Sequence, residues 1–391
     1  MTTTSYSRAT LGRVQEGLPR DGHGPWKAPA AQCHHCQVRP PTKESHVEIL
    51  QNNVGILGYG LYLPEHYLTA RDISDATGGV WSEQAVIDKL GIIRKPVPGP
   101  GDGTQEMGAR AALDALERTG LDPAEIDVIL CVGEEWKEYG LTTSALYIQD
   151  RIGATNAWGI DIANRCCTTL TALKMAKDML LADDDIDTIL VAGGYRNGDF
   201  VDYTDSTVSM MFNLGAGGGA FIVRKGMDSN LILGSHIIAD GSLVHTAGVQ
   251  IGGINEPSTP ENVEEGYRSL RLMDPVTMKD KLNQTSLPNW YTCIDESLRK
   301  SGGLTRDDID YLAILHFKRS QHLAMLADLG LTEDQTTYLE NYGHLGQVDQ
   351  MLSLHLGLEA GKITDGSLVT LIAAGIGYVW ASTCIRWGKA N

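Results

Sequence analysis

Two stretches of this chain recur in the same order at nearly the same spacing, and that repeat limits the folds open to it more than any other feature. Gly120-Leu-Asp-Pro-Ala-Glu-Ile-Asp-Val-Ile-Leu130 returns as Gly303-Leu-Thr-Arg-Asp-Asp-Ile-Asp-Tyr-Leu-Ala313, an offset of 183 residues. Asp187-Thr-Ile-Leu-Val-Ala-Gly-Gly194 returns as Leu368-Val-Thr-Leu-Ile-Ala-Ala-Gly375 at almost the same offset. Matched segments in matched order indicate one supersecondary unit used twice. With 391 residues the chain has room for both copies.

Each copy reads as α/β. Val54–Leu63 is a strand broken by glycines and ended by Pro64, and residues 104–119 form an amphipathic helix. Ile126–Val132 and Ile186–Gly193 are near-continuous apolar runs, as in strands covered on both faces, and Ser144–Ile152 between them reads as helix. The division predicted is an N-terminal extension over 1–52, a first half over 53–228 and a second half over 229–391.

The chemistry centres on Asp161-Ile-Ala-Asn-Arg-Cys-Cys-Thr-Thr-Leu170, which runs into apolar residues at helical spacing, Leu170, Leu173, Ala176, Met179 and Leu180. Cys166 and Cys167 therefore stand where a helix begins, a place whose free N–H groups and dipole favour an anion. One of them is a candidate nucleophile, and the plain alternative is a pair of small buried apolar residues. The repeat offset carries Cys166 to position 349, just after Tyr342-Gly-His-Leu-Gly346 and at the head of a helical run over Val348–Leu358. It likewise pairs Gly133-Glu-Glu135 with His316-Phe-Lys318. A thiol, two histidines and a carboxylate thus converge, and Cys beside His is the arrangement for nucleophilic acyl transfer. Against this stand structural histidines and, for Glu134 and Glu135, a solvated acidic loop.

The net charge of −17 argues against nonspecific binding to nucleic acid or anionic membrane. No run of 18 apolar residues and no signal-peptide core occurs, so the expectation is a cytoplasmic protein without a membrane span. Seven scattered cysteines fit a reducing compartment. In the extension, Cys33-His34-His35-Cys36 is a weak metal candidate, since Cys33 and Cys36 supply only two of the four ligands a closed zinc site needs.

Taken together, residues 53–391 resemble the thiolase superfamily, most closely its ketoacyl-synthase III and hydroxymethylglutaryl-CoA-synthase-like branches. Asp161-Ile-Ala-Asn-Arg-Cys-Cys is similar to the family's Asp-Leu-Asn-Ala-Ala-Cys-Ser, which assigns the nucleophile to Cys166. Phe212-Asn-Leu-Gly-Ala-Gly-Gly218 resembles Phe-Gly-Asp-Gly-Ala-Gly, Leu315-His316 the catalytic histidine after its strand, and Asn341-Tyr-Gly-His344 the Tyr-Gly-Asn motif. Ala374-Gly-Ile-Gly-Tyr-Val-Trp380 resembles the terminal Gly-x-Gly-x-x-Trp signature. The resemblance implies a thiolase fold, with duplicated α/β halves in a five-layered α-β-α-β-α arrangement, working as a homodimer.

It also implies a mechanism. An acyl group passes from a CoA or acyl carrier protein thioester to Cys166, the N–H groups of Cys166 and Ile376 in the Gly375–Gly377 turn form the oxyanion hole, and His316 and His344 stabilise the enolate of the second substrate. Carbon–carbon bond formation by Claisen condensation follows, as in fatty acid or polyketide biosynthesis, with no cofactor beyond the CoA or phosphopantetheine thioesters. Phe212, Lys89, Gly375 and Gly377 are assigned to substrate, Lys89 standing where relatives carry Arg and Ala85 where many carry a CoA-stacking Trp. His344 replaces the usual Asn, giving a Cys-His-His set. Val132-Gly-Glu-Glu135 resembles the Val-Gly-Thr-Glu of hydroxymethylglutaryl-CoA synthases, which makes Glu135 a candidate general base for non-decarboxylative condensation. Two other readings stay open: an acyltransferase moving its acyl group to an oxygen or nitrogen of a small molecule, and a non-catalytic partner subunit.

Overall fold

The computed structural model describes residues 53–389. Its strands, in chain order, are β1 (Val54–Tyr62), β2 (His66–Thr69), β3 (Arg94–Val97), β4 (Val128–Cys131), β5 (Trp158–Asp161), β6 (Thr188–Tyr195), β7 (Gly217–Lys225), β8 (Ser229–Ala239), β9 (Ala247–Val249), β10 (Leu270–Leu272), β11 (Tyr311–Ile314), β12 (Leu368–Gly375) and β13 (Val379–Lys389). Nine of them join in the order β11-β12-β13-β8-β1-β7-β6-β4-β5, while β2 with β3 and β9 with β10 make two small hairpin sheets.

Pairing directions recur across the large sheet. On one side β5 is parallel to β4 and β4 to β6, then β6 is antiparallel to β7 and β7 to β1. On the other, β11 is parallel to β12, then β12 is antiparallel to β13 and β13 to β8. A lone bridge from Leu312 to Thr336 stands beside β11 where β5 stands beside β4. The two sides meet through one pair, Gly55 with Leu231.

Helices fill three layers. Between the two sides lie α4 (Thr168–Ala182) and α7 (Asp349–Glu359), each touching strands of both. Outside, α2 (Thr104–Thr119) and α3 (Ser144–Ile152) cover the first side, and α5 (Pro275–Lys300) covers β8, β12 and β13 of the second. The remaining labelled helices are α1 (Ala70–Ala76) and α6 (Arg319–Leu329). The middle position explains the sequence of α7, whose residues from Asp349 to Leu354 are all buried, polar ones included. It also explains the runs in β4, β6, β11 and β12, which have side chains packed on both faces. On α2 the inward face is small, with Ala109, Ala111, Ala112 and Ala115 fully buried. A Cβ on Gly108 would stand 2.7 Å from the Gly193 Cα, so helix and sheet lie too close for any side chain there. Among the described residues no helix is long and apolar enough to cross a membrane. The Cys33–Cys36 metal candidate lies outside the described residues.

One buried residue of α6 has consequences for stability. His322 is 2% exposed, packs against Phe317 and Tyr338, and has no hydrogen-bond partner on either ring nitrogen. Burial, with Arg319 and His316 adding to it, pulls its pKa from 6.5 to about 4. Between those values the unfolded chain holds a proton that the folded one excludes, so this group removes about 1.4 kcal/mol of stability per pH unit as pH falls below 6.5. The variant His322→Phe should lose less melting temperature than wild type between pH 8 and pH 5, by differential scanning calorimetry. Equal losses in the two proteins would place the titrating group elsewhere.

Candidate active site

The site forms where the N-terminal ends of the two middle helices meet. A 3₁₀ turn over Arg165–Cys167 leads into α4, and another over Gly346–Val348 leads into α7. Thr169 Oγ1 donates to the Gln347 carbonyl at 2.8 Å and ties the two helix starts together. The α4 helix opens at Thr168, and both cysteines lie in the 3₁₀ turn just before it. The turn also separates them. Cys167 is fully buried, its thiol pushed well up by burial and 3.6 Å from the Val379 carbonyl, while Cys166 is partly exposed.

Cys166 Sγ lies 3.1 Å from His344 Nε2. Behind the ring, His344 Nδ1 is 2.6 Å from Asp349 Oδ2, so a thiol, an imidazole and a carboxylate stand in line. Asp349 is fully buried and accepts two further bonds, from the His316 N–H at 2.8 Å and the Leu345 N–H at 2.6 Å. Burial alone would lower the His344 pKa, but the charges of Asp349 and of the Cys166 sulfur outweigh it and raise it well above 6.5. Because Asp349 accepts at Nδ1, the other nitrogen is the one that exchanges a proton with sulfur.

His316 is placed differently. Its Nε2 is 3.0 Å from the Gly91 carbonyl, which can only accept, so Nε2 carries the proton and Nδ1 accepts from Asn213 Nδ2 at 3.1 Å. The ring is neutral, since burial pulls its pKa to about 4. Sequence reasoning sends both histidines to the enolate; the structure puts His344 on the sulfur and engages both nitrogens of His316 elsewhere. Asn213 joins the two, since its carbonyl also accepts the His344 N–H at 2.8 Å. Lys95, fully buried, grips the Asn213 loop from below, donating to the Phe212 and Leu214 carbonyls at 2.7 and 2.6 Å and to Tyr203 Oη at 2.8 Å.

The Gly375 turn backs the nucleophile. A Cβ on Gly375 would stand 2.9 Å from Arg165 Cβ and 3.0 Å from the Cys166 nitrogen, which leaves room for glycine alone. Ile376 follows in the same turn, and Gly377 takes a φ of +142°, open only to glycine. Glu135 reaches Arg165 Nη1 at 2.6 Å and is an ion-paired carboxylate. Its neighbour Glu134 is no solvated loop residue: the side chain is 5% exposed, and burial, then the charge of Glu135, pushes its pKa up to about 7.

One substrate-contact expectation changes. The ring of Phe212 is fully buried against Trp81 and Tyr203, so this loop meets the site through Asn213 and the backbone instead. Lys89 is exposed and sits 6.0 Å over the Trp81 ring. A cavity of about 430 Å³ lined by Leu68, Val97, Trp136, Tyr203, Leu214 and Arg268, among others, lies against the far side of the Asn213 loop. The sequence reading missed Asp349, Glu134, Asn213 and Lys95. The repeat offset had landed on Asp349 itself, and an acidic residue at the head of a buried helical run was the available signal.

The Asp349 carboxylate keeps His344 protonated, so Asp349→Asn, which removes the charge and keeps an acceptor for one of the two backbone donors, should lower the imidazole pKa. Alkylation of Cys166 by iodoacetamide at pH 7 should then slow on the order of a hundredfold, with the circular dichroism spectrum retained. An unchanged rate would remove Asp349 from the proton path.

Comparison with known proteins bears on this arrangement. The model of 3-oxoacyl-(acyl-carrier-protein) synthase III matches residues 160–241, and that of its C-terminal region matches 298–387. The chain is 28% identical over 338 residues to the β-ketoacyl-(acyl-carrier-protein) synthase III of Syntrophomonas wolfei, covering 86% of this chain and 98% of that one. It is 29% identical over 345 residues to the Oceanobacillus iheyensis protein of the same name, covering 86% and 100%. In structure it matches the Aquifex aeolicus 3-oxoacyl-(acyl-carrier-protein) synthase III with a TM-score of 0.73 at 21% identity, covering 85% and 100% of the two chains. It matches the priming β-ketosynthase of the R1128 polyketide pathway with a TM-score of 0.73 at 22% identity, covering 87% and 97%. These matches and the geometry agree: the chain is a thiolase-superfamily protein of the 3-oxoacyl-(acyl-carrier-protein) synthase III-like kind.

Proposed function

We propose that this condensing enzyme forms an acyl-enzyme on Cys166 and then a carbon–carbon bond by Claisen condensation. The observation that carries the reading is the 3.1 Å approach of His344 Nε2 to Cys166 Sγ with Asp349 behind the ring. His344 already holds the thiol proton, so the Cys166 thiolate attacks the thioester carbonyl, and the donor leaves as a thiol with the proton from His344 Nε2. The N–H groups of Cys166 and Ile376 receive the oxyanion, with glycine at 375 keeping the turn close enough. The acceptor is a malonyl thioester, whose loss of CO₂ yields the enolate that attacks the acyl-enzyme. His344, protonated again from solvent, donates from Nε2 to that enolate, and His316 holds the Asn213 loop through its ring and Asp349 through its N–H. Glu135, committed to Arg165, is not the base in this scheme. The reaction runs on protein groups and thioesters alone, with an acyl-CoA or an acyl carrier protein as donor. The five cysteines of the described residues are free thiols, which supports a cytoplasmic setting.

The protein acts as a homodimer in this reading. Strand β5 is the outer edge of the large sheet and exposes Trp158 at 49% and Ile160 at 37%. An apolar edge of this kind is a template for pairing with a second copy.

Intact-protein mass after incubation with acyl-CoAs and acyl carrier thioesters, beside Cys166→Ala, tests the chemistry. Wild type alone should gain the acyl mass and release it to malonyl thioester with evolution of CO₂. Discharge by acetyl thioester without CO₂ would replace the decarboxylative scheme, discharge only to small alcohols or amines would make the protein an acyltransferase, and no labelling at all would overturn the acyl-enzyme. For the dimer, Trp158→Glu combined with Ile160→Glu should shift sedimentation velocity from the mass of two chains to that of one. A double variant that still sediments as a dimer would place the interface elsewhere.

A further inference from the structure

One side of Cys166 is built from polar groups whose hydrogen bonding is incomplete. The segment Gly133–Trp136 leaves the C-terminal end of β4, Asn197 follows β6, and Arg165 directly precedes the nucleophile, so three segments crowd together. Glu134 is the most enclosed of them. Its Oε2 accepts from Asn197 Nδ2 at 2.6 Å and lies 3.7 Å from Arg165 Nη1, while its Oε1 is buried with no partner among the described residues. Glu135 gives Oε1 to Arg165 at 2.6 Å, and its Oε2 is likewise buried and unpartnered. Asn197 Oδ1 is the third such oxygen.

The set has a chemical sign. The free oxygens of Glu134, Glu135 and Asn197 are acceptors, beside one free donor, Trp136 Nε1. A single guanidinium serves two carboxylates, and burial pushes Glu134 up to about 7, so a bound cation would hold that acid ionised. Glu134 and Glu135 both face Arg165, the residue directly before Cys166, which puts this polar wall beside the nucleophile's turn. An unbranched alkyl chain laid against it would bury three acceptors and satisfy none. An ammonium offers three N–H donors and one positive charge.

We propose that the acyl group taken up by Cys166 is an aminoacyl group whose ammonium is bound by Glu134, Glu135 and Asn197. This rests on the acyl-enzyme reading above and names its substrate class. In the loading step the Cys166 sulfur forms the new bond to the acyl carbon, the bond from that carbon to the donor sulfur breaks, and the donor leaves as a thiol with the proton that Cys166 gave up. No oxidant or other reactant takes part. The ammonium stays protonated and bound throughout, so it serves recognition and has no role in bond making.

The test compares near-isosteric CoA thioesters on the full-length protein, by rate of acyl mass gain: glycyl against propanoyl, and 3-aminopropanoyl against butanoyl and 3-hydroxypropanoyl. The aminoacyl member should load faster than its alkyl partner by about tenfold or more in at least one pair. In Glu134→Gln, which keeps the shape and removes the charge, that ratio should collapse toward one; Arg165→Gln, which removes the competing cation, should keep or widen it. Equal or faster loading of the alkyl thioesters by wild type would overturn the proposal while leaving the acyl-enzyme intact, with buried water then filling the polar wall. A clear preference for 3-hydroxypropanoyl would overturn it in favour of a hydroxyacyl group. Failure of every thioester to load, with Cys166 still open to iodoacetamide, would remove the acyl-enzyme reading itself and this one with it.

Discussion

The site depends on a single buried carboxylate. Asp349 is fully buried, and an anion there is tolerable only when it is well hydrogen-bonded. Three donors bond it: the His344 ring and the backbone N–H groups of Leu345 and His316. Each bond fixes something the chemistry uses. The first keeps His344 protonated and aimed at sulfur, the second sets the turn that starts α7, and the third draws the end of β11 toward the site.

That carboxylate can be buried because the fold uses one α/β unit twice and leaves a helix of each copy in the middle. Strands of both sides clamp α4 and α7, so their N-terminal turns meet in the interior at the level where β4, β6, β11 and β12 end. The nucleophile comes from one turn, and its proton partner from the segment leading into the other. Lys95 completes the frame by holding two carbonyls on either side of Asn213, whose main chain and side chain touch one histidine each. Burial draws the Lys95 ammonium down to about 7, a measure of how strongly the loop geometry is held against the loss of solvation.

Two features of this chain stand close to Cys166. His344 stands where the resemblance predicts Asn, and Asp349 is the group that makes a histidine useful there. Glu134 and Glu135 stand together beside Arg165, and only one of the two is free of the guanidinium at short range. A carboxylate left buried with one open oxygen shapes what can lie beside the sulfur, through the desolvation it imposes on any apolar neighbour.

The sequence by itself determined the α/β class, the repeat, the strands at β4 and β6 and the helices α2, α3 and α7, because periodicity and apolar runs are local signals of burial. It also brought Cys166 and the two histidines to one place, since a repeat offset carries positional information across a long separation, and left open which ring meets the sulfur. Burial of polar residues was a different matter. Glu134 and Glu135 are alike as letters in an acidic stretch, and Phe212 and His316 carry motifs that resemble substrate contacts. Only the tertiary structure decided that Glu134 is enclosed while Glu135 meets Arg165, that Phe212 is core, and that His316 spends both ring nitrogens on Gly91 and Asn213. The reason is physical: hydrogen-bond partners and desolvation are set by what other segments bring to a residue in space, and no local pattern records that.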